Sequence, residues 1–322
     1  ADDKLFVVTA EGAIHAYGAG SPAEPVGEAA PAAADQTAVA AANAQAKSIL
    51  DRTRVTDGYG LVFGVGNGDL LQALLDGSTL RLIAFDADPA TVQRARKRFD
   101  AAGLYGKRIS VHVGTPRDLY LPPYLASLVI VADPQSAGLT ASADFLKPIF
   151  ESLRPYGGKA WLPMSESEQA AFLLEMPTDA KFPQATWKQA AGAIVLERPG
   201  ALPGSSTWTH IYGNLANTIK SDDQLVKLPL GLLWFGGSSN MDVLPRHGHG
   251  PPEQVIGGRL FIQGMESLSA RDVYTGRVIW KAELPRLGNF GVFYDETYKD
   301  TPLSTAYNQV HIPGANARGT NF

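Results

Sequence analysis

The sequence contains no cysteine. This absence excludes disulfide bonds, thiolate metal sites, iron–sulfur clusters, attached c-type haem and cysteine nucleophiles. The sequence also lacks any run near the roughly 18 consecutive apolar residues of a transmembrane helix, so no membrane span is expected. Charge is nearly balanced, because 28 lysines and arginines oppose 32 acidic residues and the net charge is −4. This balance gives no electrostatic reason to expect nucleic acid as a partner.

No targeting segment is recognisable at the start of the chain. The opening ADDKLFVV has neither the basic region nor the apolar core of a signal peptide. Both ends look like cuts, and we therefore expect a piece of a longer protein. The length of 322 residues, 45% of them hydrophobic, predicts about two domains with real cores.

The texture of the sequence divides it into four segments. Residues 1–18 predict two short strands around the turn Glu11-Gly12. Residues 19–46 are a linker rich in alanine, proline and glycine, followed by the start of a helix. Residues 47–200 alternate strands and helices, and residues 201–322 show only short strands between turn residues.

The alternating segment predicts an α/β fold. Five apolar strands followed by an antiparallel pair are expected at Leu61–Phe63, Leu80–Phe85, Ile109–Val113, Leu128–Ala132, Lys159–Leu162, Trp187–Lys188 and Ala193–Leu196. Helices are expected at 35–52, Asp69–Leu75, Pro89–Ala102, Ala143–Leu153 and Glu166–Glu175. Apolar strands alternating with amphipathic helices indicate a mostly parallel sheet covered on both faces.

The last segment has an all-β pattern. Its expected strands are Leu230–Phe235, Gln254–Ile256, Leu260–Gln263, Val278–Trp280 and Gly291–Phe293. A weak internal repeat relates KLFVVTAEGAIHAY at 4–17 to RLFIQGMESLSAR at 259–271. Because this repeat brackets the α/β segment, it suggests an α/β domain inserted into a repeat architecture.

A glycine loop is the sharpest local motif. The strand ending at Phe63 runs into Gly64-Val65-Gly66-Asn67-Gly68, and a helix follows. Such glycines let the backbone turn tightly and approach a ligand, while the helix start offers free N–H groups. Roughly 20 residues further on, Asp86 ends the second strand, where nucleotide-binding folds place a ribose-binding acid. The alternative is a tight turn used only for packing.

Residues 47–198 resemble class I S-adenosylmethionine-dependent methyltransferases. Gly64, Gly66 and Gly68 match the family's first motif, Asp86-Ala87-Asp88-Pro89 matches its ribose-binding run, and Val113-Gly114-Thr115 matches the turn beside the adenine. The order of elements, the turn at Leu153–Gly158 and the final antiparallel pair also fit. The resemblance implies that S-adenosylmethionine is bound by Gly64, Val65, Gly66, Gly68, Asp86, Ala87, Gly114 and Thr115. The family often has an acid where this sequence has Thr115.

The fourth strand ends in Asp133-Pro134-Gln135. Relatives that methylate amino groups carry an Asp/Asn-Pro-Pro-aromatic motif at this place, and only its Asp-Pro matches. The resemblance makes Asp133 a candidate catalytic residue that accepts a hydrogen bond from the methyl acceptor. The alternative is a polar cap at the end of the strand.

A second resemblance starts from the pattern A-x-D-x-x-T-G-x-x-x-W at Ala270–Trp280. Its aspartate and Thr-Gly form a tight turn, and Trp280 is expected to pack between sheets as a buried anchor. Residues 1–18 and about 205–322 thereby resemble the quinoprotein (pyrroloquinoline quinone, PQQ) β-propeller superfamily. The whole resembles a group of bacterial proteins with a Rossmann-like methyltransferase domain inserted between propeller blades. The propeller is incomplete here, so other segments or chains, in a larger assembly, would complete it.

The resemblance to PQQ propellers does not lead us to expect PQQ or Ca²⁺, because the vicinal disulfide that often accompanies them cannot form. His247 and His249 are spaced to point the same way and are weak candidates for binding a metal, but no third ligand is evident. We expect them instead to bond to backbone, and we predict no metal site. One basic run is expected to form a solvated helix face: Arg94, Arg96, Lys97 and Arg98.

Three functions remain open from the sequence. The first is methyl transfer from S-adenosylmethionine to an unknown acceptor. The second is a non-catalytic structural or interaction module of an exported assembly with a degenerate methyltransferase domain, and the third is a PQQ-type oxidoreductase. The propeller resemblance implies a periplasmic or extracellular location, whereas an active methyltransferase would be cytoplasmic.

Overall fold

Two separate units make up the chain in the computed structural model, Ala1–Asp35 and Gln36–Phe322. The residues that the structure describes are 3–8, 14–19, 35–116, 120–140, 142–175, 182–235, 253–264 and 267–285.

The first unit contains a β-hairpin. Strands β1 (Lys4–Val8) and β2 (Ile14–Gly18) pair antiparallel, with Phe6 opposite Ala16. Every residue of both strands is exposed. The two predicted strands are therefore confirmed, while the predicted turn at Glu11-Gly12 lies outside the described residues.

The second unit begins with the α/β region. Its helices are α1 (Gln36–Thr53), α2 (Asp69–Asp76), α3 (Pro89–Ala101), α4 (Pro134–Ala137), α5 (Ala143–Ser152) and α6 (Glu166–Glu175). Its strands are β3 (Tyr59–Phe63), β4 (Arg81–Asp86), β5 (Ile109–Val113), β6 (Ala126–Val131), β7 (Gly158–Pro163), β8 (Thr186–Ala190) and β9 (Ala193–Arg198). Every strand and helix predicted here is present, and the short helix α4 is an addition.

These strands form one seven-stranded sheet in the order β5-β4-β3-β6-β7-β9-β8. The first five are parallel, and β9 runs antiparallel to its neighbours β7 and β8. One apolar core lies between the sheet and helices α1, α2 and α3, and a second lies between the other face and α5 and α6. The predicted mostly parallel sheet, covered on both faces, is confirmed.

A four-stranded antiparallel sheet follows. It consists of β10 (Gln254–Ile256), β11 (Arg259–Gln263), β12 (Ser267–Asp272) and β13 (Val278–Glu283), paired in that order. Phe261 lies opposite Ala270, as Phe6 lies opposite Ala16 in the hairpin, so the sequence repeat is also a repeat of strand register. Among the described residues this sheet does not close into a ring, and a propeller is not shown.

Two expectations for this region are wrong. Leu230–Phe235 is not a strand, because no other described segment pairs with its backbone. Instead, the indole Nε1 of Trp234 donates to the Val273 carbonyl at 2.9 Å, and its ring covers Gly276. Trp280 is not a buried anchor but 39% exposed, since no described sheet covers its side of β13. The predicted strand Gly291–Phe293 lies outside the described residues.

The four-stranded sheet packs against the amino edge of the parallel sheet. Asp272, at the end of β12, forms a salt bridge with Arg154, which precedes β7. Arg277 pairs with Asp57, which precedes β3. The Tyr274 ring meets Tyr124, which precedes β6, edge-on at 5.5 Å between centroids. The opposite, carboxyl edge of the parallel sheet is left free of this sheet.

Candidate functional site

The predicted cofactor residues meet at the carboxyl edge of the parallel sheet. Strand order reverses at β3, whose neighbours β4 and β6 connect in opposite directions along the sheet. Such a reversal opens a crevice between the loops that follow the two diverging strands, and ligands of α/β folds bind there. The glycine loop follows β3, Asp86 ends β4, Gly114 follows β5 and Asp133 follows β6.

The glycines of the loop have different structural requirements. Gly64, Gly66 and Gly68 all have positive φ, at 95°, 55° and 88°. A Cβ at Gly64 would lie 2.7 Å from both the backbone nitrogen and the Cβ of Asp133, whereas one at Gly66 would meet nothing within 4 Å. Gly64 is therefore required for packing between β3 and β6, while Gly66 faces open space that a ligand can occupy.

Asp86 ties the loop to the neighbouring strand. The backbone N–H of Val65 donates to its Oδ2 at 2.8 Å, and the N–H of Asp88 donates to Oδ1 at 3.0 Å. Each carboxylate oxygen keeps a further lone pair after these bonds. Asp86 thus fixes the loop and retains acceptor capacity for two hydroxyl groups.

A small cleft lies beside this carboxylate. Its empty volume is about 150 Å³, and it is lined by Phe63, Gly64, Phe85, Asp86, Ala87, Gly114, Thr115, Pro116 and Ala137. That volume includes open solvent, and the space enclosed between the lining residues does not admit a water molecule. A nucleoside cofactor would therefore require the cleft to widen.

An aromatic stack supports the floor of the cleft and was missed from the sequence. The Phe85 ring lies 5.3 Å from that of Phe63 and 5.7 Å from that of His112. Burial, and then the nearby charge of Arg96, lower the pKa of His112 below its ordinary value. The available clue was that Phe63 and Phe85 each end a strand directly before a motif residue.

Asp133 has the geometry of a strand-end cap. Its Oδ1 accepts a hydrogen bond of 3.0 Å from the Gln135 backbone at the start of α4. Its own N–H donates to the Phe63 carbonyl at 3.3 Å, which holds it beside Gly64. The cap therefore places the carboxylate at the rim of the same crevice.

No protein-family model matches the chain, and no curated protein sequence does. A Methanococcus maripaludis protein assigned as an S-adenosyl-L-methionine-dependent methyltransferase is 18% identical, with 52% of this chain and 89% of that one covered and a TM-score of 0.39. A SAM-dependent methyltransferase from Aquifex aeolicus is 16% identical, with 47% and 87% covered and a TM-score of 0.37. Haemonchus contortus phosphoethanolamine N-methyltransferase 2, solved with S-adenosyl-L-methionine, is 18% identical at a TM-score of 0.33; 42% of this chain is covered, but only 34% of that one.

The strand order decides the fold. If the five parallel strands β3 to β7 are numbered 1 to 5 by their order in the chain, they lie 3-2-1-4-5 across the sheet. The antiparallel pair of β9 and β8 follows beside β7, as the resemblance implied. Residues 36–198 have a Rossmann-like α/β fold, and its strand order fits the arrangement that the methyltransferase resemblance implied. Of the predicted cofactor residues, Gly64, Asp86, Ala87, Gly114 and Thr115 line the cleft, whereas Val65, Gly66 and Gly68 are not among its described lining residues.

Other expectations concern residues away from the cleft. Arg96 and Arg98 are not simply solvated, because Arg96 donates to the Val111 carbonyl at 2.9 Å and Arg98 contacts the glycine loop. His247 and His249 lie outside the described residues. Within the described part of the chain, no three His, Asp or Glu side chains are grouped to hold a metal ion. No described helix combines the length and apolarity needed to cross a membrane.

Proposed function

We propose that the α/β domain binds S-adenosylmethionine and transfers its methyl group to an acceptor. The hydrogen bond between the Val65 N–H and Asp86 Oδ2, at 2.8 Å, carries this proposal. It joins the two parts of the sequence motif, which are 21 residues apart, at the point where strand order reverses. A glycine loop joined to an acid at this place suits a ligand with a ribose and a charged tail.

Each group around the cleft has a separate task in this proposal. The loop at Gly66 and the start of α2 offer backbone N–H groups to the amino-acid end of the cofactor. Asp86 accepts hydrogen bonds from the two ribose hydroxyls, and Gly114 and Thr115 flank the adenine. Asp133, at the rim, accepts a hydrogen bond from the acceptor group and orients it.

When bound, S-adenosylmethionine supplies an electrophilic methyl group on a sulfonium. Methyl transfer of this kind is an in-line displacement, so the residues around the cleft contribute mainly by positioning the acceptor and excluding water. The cap at Asp133 fits this requirement, because its hydrogen bond to Gln135 fixes the carboxylate in one orientation.

Calorimetric titration with S-adenosylhomocysteine tests the proposal. We expect micromolar binding to the natural chain and a loss of roughly tenfold or more in Asp86→Ala, which removes a charged acceptor of two hydrogen bonds. Asp100→Ala is the matched control, since Asp100 is an exposed acid on α3 and leaves the site unchanged. Absence of binding at millimolar ligand would contradict the proposal.

A second candidate is a non-catalytic module with a degenerate methyltransferase domain. The small cleft, about 150 Å³, favours it, together with Thr115 in place of the acid that the family often has. The same titration separates the two candidates, because we expect a degenerate domain not to bind S-adenosylhomocysteine.

We also propose that the four-stranded sheet is one blade of a propeller, completed by other segments or chains. The shared register of Phe6 with Ala16 and Phe261 with Ala270 supports two blades of one type. Trp280 exposes a large apolar ring, and this exposure supports a further blade beside β13 that lies outside the described residues. An experimental structure of the complete protein tests this: a closed ring supports it, and an isolated sheet contradicts it.

A further inference from the structure

Arg98 reaches from helix α3 to the glycine loop. Its Nη1 donates to the Asn67 carbonyl at 2.7 Å and to Asp69 Oδ1 at 2.8 Å. Asn67 lies between the last two glycines of the loop, and Asp69 is the first residue of α2. A single guanidinium nitrogen therefore bridges the end of the loop and the start of the helix.

Asn67 and Asp69 complete this network. The Asn67 side-chain amide donates to Asp69 Oδ2 at 2.6 Å, and the Asp69 N–H donates to Asn67 Oδ1 at 3.0 Å. The Asp69 side chain is only 9% exposed, so its charge needs the Arg98 partner to offset its loss of water. These bonds fix one conformation for the loop between Gly66 and α2.

Gly68 explains how Arg98 comes so close. A Cβ at Gly68 would lie 3.4 Å from both Cδ and Nη1 of Arg98, and its φ of 88° disfavours any side chain. The third glycine of the motif thus leaves room for the guanidinium as well as permitting the turn. The third glycine of the motif and Arg98 therefore set the conformation of the loop together.

We propose that Arg98 is a positioning residue for the amino-acid end of the cofactor. It acts through Asn67 and Asp69, which set the direction of the backbone N–H groups at the start of α2. This inference rests on the proposed function. The adenosine end is recognised elsewhere, at Asp86 and Gly114, and none of the Arg98 hydrogen bonds involves those residues.

Two ligands that differ only at the amino-acid end test the inference. S-adenosylhomocysteine and 5′-methylthioadenosine share the thioether and the adenosine, but only the first carries the charged amino acid. In Arg98→Ala we expect S-adenosylhomocysteine to bind roughly tenfold or more weakly, since a charged hydrogen-bond network is lost. Methylthioadenosine should bind within about twofold of the natural chain, because sites without shared contacts behave independently.

Two further variants complete the experiment. Arg98→Lys keeps a charge that can reach one acceptor, and it should restore part of the S-adenosylhomocysteine affinity. Lys97→Ala removes an equal charge from the exposed face of the same helix and should leave both affinities unchanged. Arg98→Lys also keeps the test valid should Arg98→Ala fail to fold.

The outcomes separate the two proposals. Equal weakening of both ligands by Arg98→Ala would indicate a general structural role and overturn the positioning inference. Unchanged S-adenosylhomocysteine affinity would overturn it as well, while leaving the proposed function intact. If the natural chain binds neither ligand, the proposed function is contradicted, and so is the positioning inference that rests on it.

Discussion

The two edges of the parallel sheet differ in the groups that form them. At the carboxyl edge, glycines and backbone N–H groups form the surface, and Asp86 joins the loop to β4 through the Val65 N–H. At the amino edge, side chains make the contacts: Arg154 pairs with Asp272, and Arg277 pairs with Asp57. The carboxyl edge ends in the crevice beside Asp86, and the amino edge is covered by the four-stranded sheet.

Because of this difference, we expect substitutions at the two edges to change different quantities, ligand affinity at one and protein stability at the other. Where the glycine loop is open, as at Gly66, backbone and not side chains forms the surface, so substitutions there should act mainly on ligand binding. A buried ion pair between the two sheets, such as Arg154–Asp272, by contrast leaves an uncompensated charge when one partner is removed. Substitutions at the amino edge should therefore act mainly on the free energy of unfolding.

The largest expected effect on stability is at Asp272. The side chains of Arg154 and Asp272 are 16% and 4% exposed, and Asp272 also accepts a hydrogen bond from the Tyr274 N–H at 2.9 Å. We expect Asp272→Ala to lower the free energy of unfolding by about 3–5 kcal/mol, because the Arg154 charge loses its partner. Urea unfolding measures this change, and titration of the folded protein should show unchanged S-adenosylhomocysteine affinity.

Asp57→Ala is the matched control for Asp272→Ala. It also removes an acid paired with an arginine at the amino edge, but the Asp57 side chain is 49% exposed. Exposed pairs contribute about 0–1 kcal/mol, so the cost should be small. Equal costs for the two variants would show that the Arg154 pair is no more than a surface contact.

Gly64→Ala should have the next largest effect, and it should disturb binding as well as stability. The added Cβ would collide with the backbone and Cβ of Asp133 at 2.7 Å, with φ at 95°. We expect a cost of about 1–3 kcal/mol in unfolding free energy and loss of S-adenosylhomocysteine binding. Gly66→Ala, which meets nothing within 4 Å, should cost less stability. If Gly66→Ala costs as much, the collision with Asp133 is not the cause.

The α/β region could be predicted because its local and long-range patterns agree. Apolar strands alternate with helices, and the strand, loop and helix around Gly64 predict the same edge of the sheet that Asp86 occupies. The Val65–Asp86 bond then follows from parallel pairing of β3 with β4, which aligns Phe63 with Phe85. Short-range patterning was sufficient here.

Contacts between distant segments could not be predicted in the same way. Arg98 belongs to a basic helix run, and nothing in its spacing reveals that Asn67, 31 residues away, accepts its hydrogen bond. Leu230–Phe235 has the apolar composition of a strand, but a strand also needs a neighbour to pair with. The burial of Trp280 could not be predicted for a similar reason, because it depends on whether another sheet packs against β13.

The smallest expected effect is a pH dependence at the amino edge. Burial raises the pKa of Tyr274 to about 12, from an ordinary value near 10. The fold therefore favours the neutral phenol. The resulting contribution to the free energy of unfolding is fully present below about pH 10 and is lost as the pH rises towards 12. Urea midpoints measured from about pH 9 to about pH 11 should fall more steeply for the natural chain than for Tyr274→Phe, which has no proton to lose. Parallel curves would mean that Tyr274 titrates in the fold as it does in the unfolded chain. In that case the amino edge would be open to water, and its contrast with the carboxyl edge would rest on the Arg154–Asp272 pair alone.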